Sequence, residues 1–128
     1  MTVWLSKQTV LAIHDEQLAE HGGAAGIRDE GLLESPLARP LNRVSYGEPD
    51  IAELAALYAI AIAQNHPFVD GNKRTAYVTF KTFLELNELR FPASDTQAVI
   101  AVLSFSAGDT SDDELTDWVR ANARISED

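Results

Sequence analysis

The chain has 128 residues, 45% of them hydrophobic and none of them cysteine, and its 20 acidic against 10 basic residues give a formal net charge of -10. A chain of this mass buries about 13,000 Å² on folding, enough for one core, so a single domain over residues 1–128 is expected. The lack of cysteine excludes a disulfide framework, a thiolate metal site and a thiol nucleophile, and the acidity weighs against a nuclease or a repressor that binds by neutralising phosphates.

Apolar residues recur at helical spacing along nearly the whole chain, and the segments open on capping residues, which predicts an all-α fold. Ser6 caps a first helix with Val10, Ile13 and Leu18 on one side, ended by Gly22-Gly23. Asp29 caps a second through Leu32, Leu33 and Leu37, which Pro36 is expected to kink or shorten because it lacks an N–H and crowds the preceding turn. Asn42 to Pro49, with Tyr46, Gly47 and Pro49, reads as an exposed connection.

Asp50 and Glu53 form a capping-box-like start to a third helix, Ile51 to about Asn65, apolar on almost every face and so expected at the centre of the domain. Its longest apolar run, Leu54 to Ala63, is half of the roughly 20 residues needed to cross a bilayer. The segment Met1 to Gln8 lacks the charged and then apolar regions of a leader, so the cytoplasm is the expected location. A fourth helix starts near Asn72 with Ala76, Phe80, Phe83 and Leu84 inward, and Arg90 to Ala93, with Pro92, is expected to break it. Two capping boxes, Ser94 with Gln97 and Ser111 with Glu114, open the last helices, which carry Val99, Val102 and Leu103, then Leu115, Trp118 and Val119. Ser126 to Asp128 are expected to fray.

Between the two central helices lies His66-Pro67-Phe68-Val69-Asp70-Gly71-Asn72-Lys73-Arg74-Thr75-Ala76, the one polar-rich stretch flanked by strongly helical sequence. A glycine at a helix entrance lets a ligand approach the backbone, and the unpaired N–H groups of the first turn, aided by the helix dipole, attract an anion. Lys73 and Arg74 add positive charge there, against the dipole and so without a structural motive. Asp70 is a carboxylate suited to holding Mg²⁺ against phosphates, and His66 can accept a proton from an incoming hydroxyl. Together these residues suggest a group-transfer site for a polyphosphate. It is not a P-loop, which needs Gly, four residues and Gly-Lys-Ser/Thr after a strand. The alternative of a different class is a non-enzymatic module whose basic loop engages an acidic partner. His14 and His21 lie seven residues apart, about 10.5 Å along one helix, too far to share an ion, and read as core-edge or solvent-facing. Trp4 can act as a staple or pack near Phe91, while Trp118 reads as core.

The eleven residues resemble the signature of the Fic/Doc superfamily: His-Pro-Phe, two variable positions of which the second is acidic, Gly-Asn-Gly-Arg, two variable positions, and Arg. Lys73 stands where adenylylating Fic enzymes have their second glycine, and Tyr77 where they have the final arginine. With the flanking Gly31-Leu32-Leu33-Glu34-Ser35 and Leu37-Ala38-Arg39-Pro40, these departures resemble the death-on-curing (Doc) branch. The resemblance implies a compact bundle of about six helices with the motif loop between two central ones. It further implies a type II toxin that uses ATP and Mg²⁺ to phosphorylate a Ser/Thr hydroxyl of a translation factor, elongation factor Tu, arresting translation and growth. A cognate antitoxin with a helix-forming C-terminal tail is the implied partner, with no direct nucleic-acid or membrane contact.

Carried over by position, His66 would be the base and Asp70 the metal carboxylate. Gly71, Asn72 and the nearby backbone would form the phosphate cradle, Lys73 and Arg74 would bind and stabilise phosphate charge, and Phe68 would be a buried anchor. Tyr46 to Pro49 lies where the family has a target-positioning flap. The Lys73 side chain fills the volume that glycine would leave for a deep phosphate, and Tyr77 removes the outer arginine. Kinase chemistry, with the γ-phosphorus facing His66, is therefore expected ahead of Fic-type adenylyl (AMP) transfer.

Overall fold

The computed structural model describes residues 1–125, and the expected fraying of Ser126 to Asp128 lies outside them. The described residues form six helices: α1 Lys7–His21, α2 Glu30–Val44, α3 Ile51–Asn65, α4 Asn72–Leu86, α5 Asp95–Ser106 and α6 Asp112–Asn122. Two short strands, β1 Leu89–Arg90 and β2 Arg124–Ile125, pair antiparallel. The helical fold matches the expectation; the small sheet was not expected. No helix of the described residues is long and apolar enough to cross a membrane.

The helices begin where local chemistry dictates. The side chains of Ser6, Asp29, Asp50, Ser94 and Ser111 each accept a first-turn N–H, and the last two make reciprocal capping boxes with Gln97 and Glu114. At α3 only half of the expected box forms: Asp50 accepts from the Glu53 N–H, while the Glu53 carboxylate turns to Arg43, 2.7 Å from its Nε. Asp50 also receives Arg120 of α6 at 2.8 and 3.1 Å, tying α6 to the start of α3. That guanidinium holds the Asp50 carboxyl below its usual pKa, its burial acting in the opposite direction.

Helix α3 is surrounded by α2, α4, α5 and α6, and ten of its residues, from Ala52 to Ala63, are buried. Its alanines let neighbours approach closely, while Leu54, Ile60 and Ile62 fill the space between them. From α4, Ala76, Phe80, Phe83 and Leu84 are all fully buried against this core, as their spacing predicts. Leu5 precedes the Ser6 cap and shares the core with Val10, the positions of a hydrophobic staple. Trp4 packs on Phe83, ring centroids 6.1 Å apart, rather than on Phe91. Phe91 instead joins Phe80 and Trp118 in edge-on contacts.

Three expectations need correction. Helix α2 runs through Pro36 and Pro40 to Val44, so Asn42 is helical and the connection starts only at Ser45. Pro36 leaves the Leu32 carbonyl without its usual helix donor, and the Asn65 side chain supplies one at 3.2 Å, removing one of the two costs of an internal proline. Helix α4 ends at Leu86, before Arg90 to Ala93, where the Asn87 amide donates to the Phe83 carbonyl and Glu88 takes a positive φ of 67°. On α5 the inward residues are Ala98, Val102 and Phe105, whereas Leu103 is turned outward.

Candidate active site

The motif loop joins the C-terminus of α3 to the N-terminus of α4, the two central helices. His66 is the C-cap residue of α3, in the left-handed conformation at φ 49° and ψ 59°, with its N–H on the Ile62 carbonyl. That turn directs an exposed imidazole away from the core. Two residues later Phe68 plunges inward and is 1% exposed. It is buried as the expected anchor would be, and its ring stacks on that of His14 from α1, centroids 3.7 Å apart and 7° from parallel.

Gly71 caps α4 at φ 78° and carries no side chain to bond the first-turn N–H groups of that helix. A Cβ there would be strained by the backbone alone. The open N-terminus, with Lys73 and Arg74 in the same turn, borders a cleft of about 300 Å³. His66, Val69, Asp70, Gly71, Asn72, Lys73 and Arg74 line one side, and Val99 and Leu103 of α5 line the other. All the residues singled out in the sequence as catalytic or phosphate-binding are thus brought to one cleft. Lys73 is exposed, and the Arg74 Nη1 donates to the Nε2 of His21 at 3.3 Å.

The Asp70 carboxylate accepts the Gly71 N–H at 2.9 Å and the Ala24 N–H at 3.3 Å, one on each oxygen. A carboxylate has about four lone-pair sites, so two remain to fit a cation. One carboxylate beside an uncapped helix N-terminus fits Mg²⁺, an ion that can take the rest of its shell from phosphate and water. Among the described residues no cluster of three or more His, Asp or Glu side chains would form a protein-only cage.

Asn72 has a task the sequence did not show. Its Oδ1 accepts the Phe68 N–H and its Nδ2 donates to the Phe68 carbonyl, both at 3.0 Å, so the side chain closes the loop on itself. What Asn72 has left for a phosphate is its backbone N–H. Tyr77 is likewise occupied, its buried hydroxyl donating to the Asp95 carboxylate at the start of α5. Burial first, and that carboxylate second, push its pKa up. Position 77 therefore adds no positive charge to the cleft.

The loop is fastened from outside by groups that sequence reasoning missed. The segment before α2 runs antiparallel to it: the Val69 N–H donates to the Gly26 carbonyl at 3.0 Å, the Arg28 N–H donates to the Pro67 carbonyl at 2.7 Å, and Ile27 bridges Phe68. Gly23 permits this approach, since a Cβ there would meet an Asp70 carboxylate oxygen at 3.0 Å. His14, 3% exposed, binds the Asp70 carbonyl through Nε2 at 2.8 Å; a carbonyl only accepts, so that nitrogen carries the proton. The only sequence signal was the glycine-rich run from Gly22 to Gly26. Tyr46 to Pro49, by contrast, precede the far end of α3, about 21 Å along the helix from His66. The flap position carried over to them is corrected: the backbone beside the motif is Gly23 to Arg28.

The sequence profile described as the Fic/DOC family matches residues 4–84. A phage P1 protein, "Protein kinase doc" of Escherichia phage P1, is 33% identical over 117 residues, covering 91% of this chain and 92% of the relative. "Toxin Doc" of Mycolicibacterium smegmatis is 38% identical over 96 residues, covering 73% of this chain and 71% of the relative. The chain belongs to the Fic/Doc family, in its death-on-curing (Doc) branch.

Proposed function

We propose that this protein is the toxin of a type II toxin–antitoxin pair and acts as a protein kinase, transferring the γ-phosphoryl group of ATP to a Ser/Thr hydroxyl of a translation factor, elongation factor Tu. The observation that carries the reading is the gathering in one cleft of an exposed imidazole, a carboxylate and an uncapped helix N-terminus with two cations. The names of the two relatives, one a kinase and one a toxin, support it.

In this reading His66 takes the proton of the incoming hydroxyl. The N–H groups of Asn72 and its neighbours at the start of α4, with Gly71 giving access, cradle the phosphates. Lys73 and Arg74 offset the charge of the transferring group, whose transfer asks chiefly for positioning and electrostatic stabilisation. Asp70 would hold Mg²⁺, which when bound neutralises phosphate oxygens. A lysine at position 73 and a tyrosine turned to Asp95 at position 77 favour the γ-phosphorus over the α-phosphorus in front of His66. The antitoxin would cover the toxin with a C-terminal tail that folds into a helix on binding.

The test is to incubate the purified chain with bacterial extract and ATP labelled at either the γ or the α position. Label is expected on a protein from γ-labelled ATP only, and its loss on chelation of Mg²⁺. Label from α-labelled and not γ-labelled ATP would replace the kinase with an adenylyl transferase.

A further inference from the structure

Arg28 lies in the segment alongside the motif, exposed, in a chain with twice as many acidic as basic residues. Among the described residues it nevertheless makes no ion pair. Its donors go to three consecutive main-chain carbonyls instead: Nη2 to Asn65 O at 2.9 Å, Nε to His66 O at 2.8 Å and the backbone N–H to Pro67 O at 2.7 Å. The middle one belongs to the candidate base.

Two physical problems meet at this point. The last carbonyls of α3 have no partner within the helix and form the negative end of its dipole, close to where an anionic nucleotide would arrive. His66 itself sits in the left-handed region, which is strained for a non-glycine residue and persists only where neighbours over-determine it. A guanidinium answers both, because its rigid fork reaches two carbonyls at once and brings a full positive charge to the helix end.

We infer that Arg28 is a positioning residue for the transfer reaction: by clamping the carbonyls of Asn65, His66 and Pro67 it fixes the left-handed turn that aims the His66 imidazole into the cleft. Arg28 touches neither nucleotide nor target in this role. The inference rests on the reading of His66 as the base, but its conformational half is separately measurable. The clamp also differs from that of His14, which holds the Asp70 end of the same loop. Losing one clamp leaves the other fastening intact.

The experiment compares wild type with Arg28→Gln, Arg28→Lys and His66→Ala, each confirmed as folded by circular dichroism. The readouts are the label transferred from γ-labelled ATP and the histidine NMR spectrum. The chain has three histidines, so His14 and His21 serve as internal references. In Arg28→Gln the His66 signals are expected to shift and broaden while those of His14 stay in place. The maximal transfer rate should fall about 100-fold, the scale of a misplaced catalytic group, with the ATP concentration for half-maximal rate changed less than about 3-fold. Arg28→Lys should recover part of the rate, since an ammonium keeps the charge but not the fork. His66 signals unchanged in Arg28→Gln would overturn the inference whatever the enzyme does. So would a wild-type maximal rate in Arg28→Gln alongside an inactive His66→Ala, which would leave the proposed function standing. A fully active His66→Ala would instead bring down the function.

Discussion

Helices α4 and α6 begin in opposite ways. Helix α6 opens on Ser111, whose side chain and that of Glu114 exchange hydrogen bonds with each other's backbone, and its first turn carries Asp112, Asp113 and Glu114. Every feature there satisfies orphan N–H groups or complements the positive end of the dipole. Helix α4 opens on Gly71 without a side-chain cap, and its first turn carries Lys73 and Arg74. Among the described residues five of the six helices carry a side-chain cap, so the bare start of α4 is not a general weakness of the sequence. Such an end, with its first-turn N–H groups left without a side-chain partner, is suited to an external anion.

The contrast predicts that the two helix starts respond differently to mutation. The largest effect is expected at the base: His66→Ala should lower phosphoryl transfer about 100- to 10,000-fold and abolish growth arrest. The melting temperature should hardly change, because the side chain is exposed and packs on little. Asp70→Asn should lower transfer similarly and weaken its dependence on Mg²⁺, read by titrating the ion. A folded and fully toxic His66→Ala protein would remove the site from this loop.

Phe68→Ala should act through the fold. It deletes a ring that is 1% exposed and stacked on His14, at a cost of about 3–5 kcal/mol, a large share of a small domain's stability. Denaturant unfolding should show the loss directly, with transfer falling as the loop loosens. An unchanged unfolding midpoint would mean that the loop is held by its hydrogen bonds alone.

The parts of this comparison visible in the sequence are those set by neighbouring residues. Serine and aspartate caps, the 3/4 spacing of Ala76, Phe80, Phe83 and Leu84, and the basic turn after Gly71 all act over three or four positions, and each is legible. What stayed hidden spans long separations. Pro36 reads as kinking or shortening α2 because its compensating donor, Asn65, is 33 positions from the Leu32 carbonyl that it serves. His14 reads as a core-edge or solvent-facing residue, and nothing near it in sequence shows that it binds the Asp70 carbonyl 56 positions away. Arg28 was invisible for the same reason. Asn72 was legible as part of the site but not in its role, since only the folded loop brings its amide onto Phe68.

A smaller effect tests the α6 side. Ser111→Ala removes one half of a reciprocal box and should cost about 1 kcal/mol, seen as a lower unfolding midpoint, with phosphoryl transfer unchanged because α6 does not line the cleft. A drop in transfer at temperatures where the variant is fully folded would show that the two ends are coupled, and the contrast would lose its meaning.

The sharpest test makes α4 resemble α6. Lys73→Glu replaces a cation that opposes the helix dipole with an anion that complements it, in an exposed side chain whose loss removes no packing. The fold should gain about 0.3–1 kcal/mol at low ionic strength, and added salt should erase the gain within a Debye length of about 10 Å at 0.1 M. Transfer should fall at the same time, because the new carboxylate repels the phosphates that the first turn of α4 would cradle. Stability and activity thus move in opposite directions from one substitution, an outcome that neither a purely structural loop nor a merely solvated helix start produces. A Lys73→Glu protein that is less stable at low salt, or one that transfers phosphate as fast as wild type, would show that the basic turn is not reserved for an anion.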